Sequence, residues 1–157
     1  GGVFQATGNA SPVTIPAKGR FMLQDLQRFA KRYQVPLQFN PNFPINTLTL
    51  MRVATALQMH QPQRFEAFVA AMFKAIWVDA LNMGDPTIVA KVLENNGFDP
   101  DQLLQLAGDP QVKDALKTGT ENAVKRGVFG APSMFVGEEL FFGQDRLDFI
   151  REALLAN

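Results

Sequence analysis

One hairpin stands in a chain that otherwise reads as helix, and this imbalance constrains the fold more than any other feature. Ser133 to Val136 and Glu139 to Phe142 are strand-like and are joined by Gly137-Glu138, a two-residue Gly-X turn. A two-stranded hairpin on its own is marginal in water. The segment from Asp145 to Leu155, apolar at Leu147, Ile150 and Leu154, is expected to pack on the hairpin as a helix. A sheet of this kind still needs more strands, and Leu37-Gln38-Phe39 is too short to supply them. We therefore expect a strand-helix-strand unit, roughly 30 residues or more, ahead of Gly1.

The middle of the chain carries clear helix punctuation. Asp85-Pro86, Asp99-Pro100 and Asp109-Pro110 each offer an N-cap followed by proline at the first helical position. The first predicts a helix over Thr87 to Asn95, stopped by Asn96-Gly97. The last predicts one over Gln111 to Arg126, stopped by Gly127. Between Gln63 and Ala80, the residues Phe65, Phe68, Val69, Met72, Phe73, Ile76, Trp77 and Ala80 recur at helical spacing and form one broad aromatic face. Trp77 and Phe73 are read as core. Met22, Leu26, Phe29, Ala30 and Tyr33 mark a helix after Gly19, ended at Val35-Pro36, and Leu48 to Gln58 marks another with Thr47 as its preferred cap. Residues 1–9 and the Pro16-Ala17-Lys18-Gly19 stretch, rich in glycine and proline, are read as loop.

Charge and composition narrow the function. Fifteen basic residues balance fifteen acidic ones, with no long run of either sign, so neither nucleic acid nor an anionic membrane surface is indicated as a partner. Small molecules or proteins are the expected partners. No apolar run approaches a bilayer span and no secretory signal is visible, which makes a cytoplasmic location the default. The chain has no cysteine and one histidine, His60, so it offers no thiolate and no multi-histidine metal site. A thiol used in chemistry must come from a ligand or from residues outside this sequence.

Several residues offer binding chemistry, each beside a plainer reading. Ala131-Pro132 either forms a cis bond, with the Ala131 backbone turned outward to pair with a peptide-like ligand, or is an ordinary trans proline opening an edge strand. Gly143-Gln144-Asp145-Arg146 presents helix-start amides for a carboxylate and Asp145 for an ammonium, or Asp145 merely charges the first turn. Asn9 and Lys18 offer a donor-acceptor pair and a cation, or are solvated surface residues. Phe43 lies in the stretch Phe39 to Thr47, which either lines an apolar pocket ahead of the helix carrying Arg52 or gives Phe43 to the core.

Five segments, taken in order, are Gly1-Gly2-Val3-Phe4 with Gly8-Asn9, Pro16-Ala17-Lys18-Gly19, Phe43-Pro44-Ile45-Asn46-Thr47-Leu48, Gly130-Ala131-Pro132 and Phe142-Gly143-Gln144-Asp145-Arg146. This succession resembles the kappa glutathione transferase and 2-hydroxychromene-2-carboxylate isomerase family, over nearly the whole chain. The resemblance implies an α/β fold: a thioredoxin-like domain of the DsbA and kappa type, interrupted by an all-helical insertion. On that pattern residues 1–44 and 119–157 form the thioredoxin-like part and 45–118 the insertion. It also implies a cis Pro132 and a glutathione site on Asn9, Lys18, the Ala131 backbone, Pro132, Gln144 and Asp145. Gln144 departs from the serine that some transferases carry there. The family's catalytic serine lies in a segment absent from this sequence, so no residue here is named in its place.

The activity so implied is that of a glutathione-dependent isomerase of aromatic-compound breakdown. It would interconvert a 2-hydroxychromene-2-carboxylate-like acid and its ring-opened benzylidenepyruvate, with glutathione as a recycled cofactor. Phe43 and Arg52 would line the substrate, between the thioredoxin-like face and the insertion, and the aromatic helix stripe would permit a homodimer. Three other readings stay open. A kappa-like transferase would accumulate a thioether, a DsbA-like dithiol oxidoreductase would need an upstream Cys-x-x-Cys, and a non-enzymatic binding module would need another strand for its sheet.

Overall fold

A computed structural model describes residues 2–156, as eight helices and one hairpin among those residues. The chain divides into two compact units, Gly1–Thr14 with Lys117–Asn157, and Ile15–Leu116.

The larger unit is helical. It begins with α2 (Pro16–Tyr33), followed by an irregular stretch, α3 (Leu48–His60), a short 3-10 turn at Pro62–Arg64, α4 (Phe65–Trp77), α5 (Pro86–Asn95) and α6 (Pro100–Gly108). The start of α7 (Pro110–Lys125) also belongs to it. The first helix of the chain, α1 (Gly2–Thr7), belongs to the other unit. Asp85, Asp99 and Asp109 act as expected: their carboxylates accept the N–H groups of Thr87 at 2.8 Å, Gln102 at 3.1 Å and Gln111 at 2.7 Å. The core is built where α3, α4, α5 and α6 meet. Val53, Leu57, Phe68, Met72, Leu93 and Leu103 are buried there, and Phe68 stands edge-on to Phe98 with ring centroids 5.9 Å apart. Among the described residues, Asn40 is the fully buried polar one. Its amide donates to the carbonyls of Ile76 at 3.0 Å and Leu81 at 2.8 Å, and its oxygen accepts the Asn42 N–H at 2.9 Å. It thereby ties the irregular stretch to the end of α4.

The structure corrects several local expectations. Residues 2–7 are helix rather than loop: the Thr7 hydroxyl donates to the Val3 carbonyl at 2.8 Å, and Gly8, at φ 69°, stops the helix. Helix α2 starts at Pro16, because proline's fixed φ suits the first helical position even though Ile15 provides no side-chain cap. Lys18 therefore sits in a first helical turn and Gly19 lies inside the helix. Leu37-Gln38-Phe39 is not a strand. Gln38 makes one backbone bond, its N–H to the Trp77 carbonyl at 2.7 Å, and that partner lies at a helix end. Helix α4 ends at Trp77, so Ala80, with φ 52°, lies beyond it. At the start of α3 the capping oxygen comes from Asn46, which accepts the Leu48 N–H at 3.1 Å, and not from Thr47.

The broad aromatic face of α4 splits into two stripes. Phe68, Ala71, Met72 and Ala75 enter the core, whereas Val69, Phe73, Ile76 and Trp77 lie on the adjoining stripe, with Phe73 left 63% exposed. Phe73 and Trp77 line an open apolar cleft of about 540 Å³ with Leu26, Leu37 and Val78. Phe73 is thus a wall of a cleft and not a core residue.

The smaller unit holds α1, the end of α7, β1 (Ser133–Val136), β2 (Glu139–Phe142), a 3-10 turn at Gln144–Arg146 and α8 (Leu147–Ala156). Gly127, at φ 95°, ends α7 in a Schellman motif: its N–H reaches Val124 C=O at 2.9 Å, and the Val128 N–H reaches Ala123 C=O at 3.0 Å. The two strands pair antiparallel in the expected register, Ser133 opposite Phe142 and Val136 opposite Glu139, around Gly137 at φ 58°. Helix α8 packs on β1. No described helix is long and apolar enough to cross a membrane.

Candidate functional site

The site grows from the turn that leads into β1. Four consecutive residues, Phe129 to Pro132, each carry a carbonyl, and three of these are occupied. The Asn9 side-chain amide donates to Phe129 C=O at 2.8 Å, the Ser133 hydroxyl to Gly130 C=O at 2.7 Å, and the Gly143 N–H to Pro132 C=O at 3.0 Å. Ala131 is the exception. It is exposed, and neither its N–H nor its C=O has a partner among the described residues. Its peptide bond to Pro132 is cis, as the sequence resemblance implied, and Phe43-Pro44, for which no such expectation stood, is cis as well.

Packing fixes this turn in place. The Phe129 and Phe142 rings lie 4.4 Å apart, and a Cβ at Gly130 would meet the Phe142 ring at 3.0 Å. A side chain at 130 would therefore have to push the Phe142 ring aside by a few tenths of an ångström. Glycine is needed at 143, where φ is 103° and ψ 148°, and where a Cβ would stand 2.5 Å from an Asp145 carboxylate oxygen. That oxygen, Oδ1, has no hydrogen-bond partner among the described residues, while Oδ2 pairs with the Arg146 guanidinium. Asp145 and Arg146 are each about half exposed.

One unit thus brings together Asn9, Ala131, Pro132, Gln144 and Asp145. Asn9 reaches the turn through Phe129, and Gly143 links Pro132 to the Gln144–Arg146 turn. Lys18, Phe43 and Arg52 belong to the other unit. There Lys18 is exposed on α2. Phe43 is half-buried between Phe39, at 6.5 Å, and Trp77, at 5.5 Å. Arg52 is half-buried on α3 with no ion pair among the described residues. None of the expected site residues lines the 540 Å³ cleft, whose lysine, Lys74, is paired with Asp79 at 2.6 Å. Sequence reasoning missed Ser133 as a shaper of the site. Gly143 was legible as the residue before a helix start, whereas the Ser133 contact has no signature beyond a serine next to proline.

The described residues contain no group of three or more histidine, aspartate or glutamate side chains placed to hold a metal. The chemistry on offer is recognition: an unpaired peptide group, a carboxylate oxygen and helix-start amides within one unit.

Comparison with known proteins identifies the architecture. Residues 1–155 match the DSBA-like thioredoxin domain. The chain belongs to the DSBA-like thioredoxin family. Among its relatives in this family is a 2-hydroxychromene-2-carboxylate isomerase of Sphingobium xenophagum, 34% identical over 96% of this chain and 76% of the relative. Glutathione S-transferase kappa 1 of Homo sapiens is 27% identical over 98% of this chain and 73% of the human protein. A solved 2-hydroxychromene-2-carboxylate isomerase superposes with a TM-score of 0.82 at 27% identity, covering 98% of this chain and 75% of the other. The resemblance drawn from the five sequence segments and the thioredoxin fold class are both borne out. Mostly helical content around a small sheet is the DSBA-like thioredoxin form of an α/β fold, and its isomerase and transferase branch is a branch of enzymes.

Proposed function

We propose that the protein is a glutathione-dependent isomerase acting on an aromatic carboxylic acid of the 2-hydroxychromene-2-carboxylate kind. The observation that carries the reading is the unpaired Ala131 peptide group, flanked by carbonyls that are already engaged. A ligand with its own peptide bonds can complete that group by strand-like pairing. Glutathione is such a ligand, and its α-ammonium matches the open Oδ1 of Asp145. Gln144 and the amides of the turn suit its carboxylate. When bound, glutathione supplies the thiol whose reversible addition to a conjugated side chain permits geometric isomerisation. The chain's own residues orient the tripeptide. Phe43, beside Trp77, offers an aromatic contact to the substrate, and Arg52 offers a charge partner for its carboxylate. In this reading residues 1–44 and 119–157 are the thioredoxin-like part and 45–118 the helical insertion.

Similarity to a kappa transferase favours a second reading, conjugation of glutathione to an electrophile. Product analysis separates the two. An isomerase returns glutathione undiminished and shifts the ultraviolet spectrum of the acid, whereas a transferase accumulates a thioether. Calorimetry with glutathione tests the site itself. Asp145→Ala is expected to raise the dissociation constant about tenfold, or roughly 1.4 kcal/mol. Unchanged binding would remove Asp145 from the site.

A further inference from the structure

Asn9 and Ser133 reach main-chain carbonyls immediately ahead of Ala131, and this gives them a role that differs from touching a ligand. We infer that they are positioning residues, which orient the Ala131 amide for a peptide-like ligand without needing to contact it. The inference rests on the reading of Ala131 as the ligand's pairing partner.

The geometry runs through two linked peptide planes. The bond between Gly130 and Ala131 is planar, so the direction of the Gly130 C=O fixes the opposite direction of the Ala131 N–H. The Ser133 hydroxyl holds that carbonyl at 2.7 Å. One residue earlier, the Asn9 amide holds Phe129 C=O at 2.8 Å, across a sequence separation of 120 residues. Between the two planes lies Gly130, the residue whose backbone is freest to rotate. Clamping the carbonyl on either side of it removes that freedom.

Asn9 is itself anchored. Its Oδ1 accepts the Ala10 N–H at 2.8 Å, and its own N–H lies 3.4 Å from the Thr7 hydroxyl, which in turn donates to Val3 C=O. The amide therefore works from the end of α1 and spans from that helix to the turn. With one N–H and one lone pair of the side chain committed, the orientation of the amide is set before any ligand arrives. Order of this kind lowers the entropy cost of binding, because the turn does not have to be fixed when the ligand binds.

The test is glutathione calorimetry on the protein and on Asn9→Ala, Ser133→Ala, the double variant and Ser133→Thr, with urea unfolding measured on each. Each alanine variant is expected to weaken binding on the order of fivefold to tenfold, the worth of one hydrogen bond. The double variant is expected to lose clearly less than the product of the two single effects, because both act on one turn. Threonine, which keeps the hydroxyl, is expected to restore binding to within about twofold of the Ser133 protein. A contribution to stability alone would lower the urea midpoint and leave the dissociation constant unmoved, which overturns the inference. Multiplicative losses in the double variant also overturn it, because they mark independent ligand contacts. If the unaltered protein fails to bind glutathione at all, the reading of the site falls and this inference falls with it.

Discussion

Gly143→Ala is the substitution whose cost can be worked most directly from the structure. Gly143 is buried, and its φ of 103° with ψ of 148° lies in a region that is open essentially to glycine alone. Placing an L side chain there costs of order 1–3 kcal/mol. The added Cβ would also stand 2.5 Å from Asp145 Oδ1, so the carboxylate must retreat by about 1 Å to reach ordinary contact. The Gly143 N–H to Pro132 C=O bond sits on the same backbone and is disturbed with it. Together these predict a loss of roughly 2–4 kcal/mol in urea unfolding followed by circular dichroism, with the slope unchanged. Gly137→Ala is the internal control. Its φ of 58° is also left-handed, but nothing lies within 4 Å of the new Cβ, so only about 1 kcal/mol is expected. Equal losses at the two positions would refute the argument, since the distinction rests on the backbone region and the crowding carboxylate.

Three further outcomes follow from the helical unit. Asn40→Ala strips two carbonyls and one amide of their buried partner, and about 3 kcal/mol should be lost in urea unfolding followed by Trp77 fluorescence; a loss below about 1 kcal/mol would contradict the hydrogen bonding described. Leu57→Ala empties a fully buried position at the meeting of the core helices and should cost about 2–5 kcal/mol by the same assay, with a surface-like change excluding that placement. Asp99→Ala removes a cap at the start of α6 and should cost about 1 kcal/mol, to be compared with Asp99→Asn, which keeps the accepting oxygen and should cost less.

Local chemistry made much of this fold legible. An Asp-Pro pair acts within three residues, and all three pairs in this chain behave as their spacing says. The hairpin was legible for the same reason, since Gly137 supplies the positive φ between two apolar runs. Pro16 shows the converse: Ile15 provides no capping side chain, so a glycine three residues further on looked like the helix boundary. Asn40 was missed because its partners, Ile76 and Leu81, lie 36 and 41 residues away. In the site, the cis Ala131-Pro132 bond came from resemblance and not from spacing. The clamps by Asn9 and Ser133 came from neither, because a side chain meeting a distant carbonyl leaves no periodicity to read.

The position of Trp77 has an optical consequence. It is the only tryptophan, and Tyr33 the only tyrosine, and both lie in the unit spanning Ile15–Leu116. The hairpin unit contains phenylalanine alone among the aromatics and is dark to excitation at the red edge of protein absorbance. Intrinsic emission therefore follows the melting of the helices around Asn40 and carries no signal of its own from the Ala131 turn. A tryptophan introduced at Phe149, exposed on α8, in a chain whose Trp77 is replaced by phenylalanine would move the reporter to the hairpin unit, so that the two proteins side by side follow the two halves of the molecule.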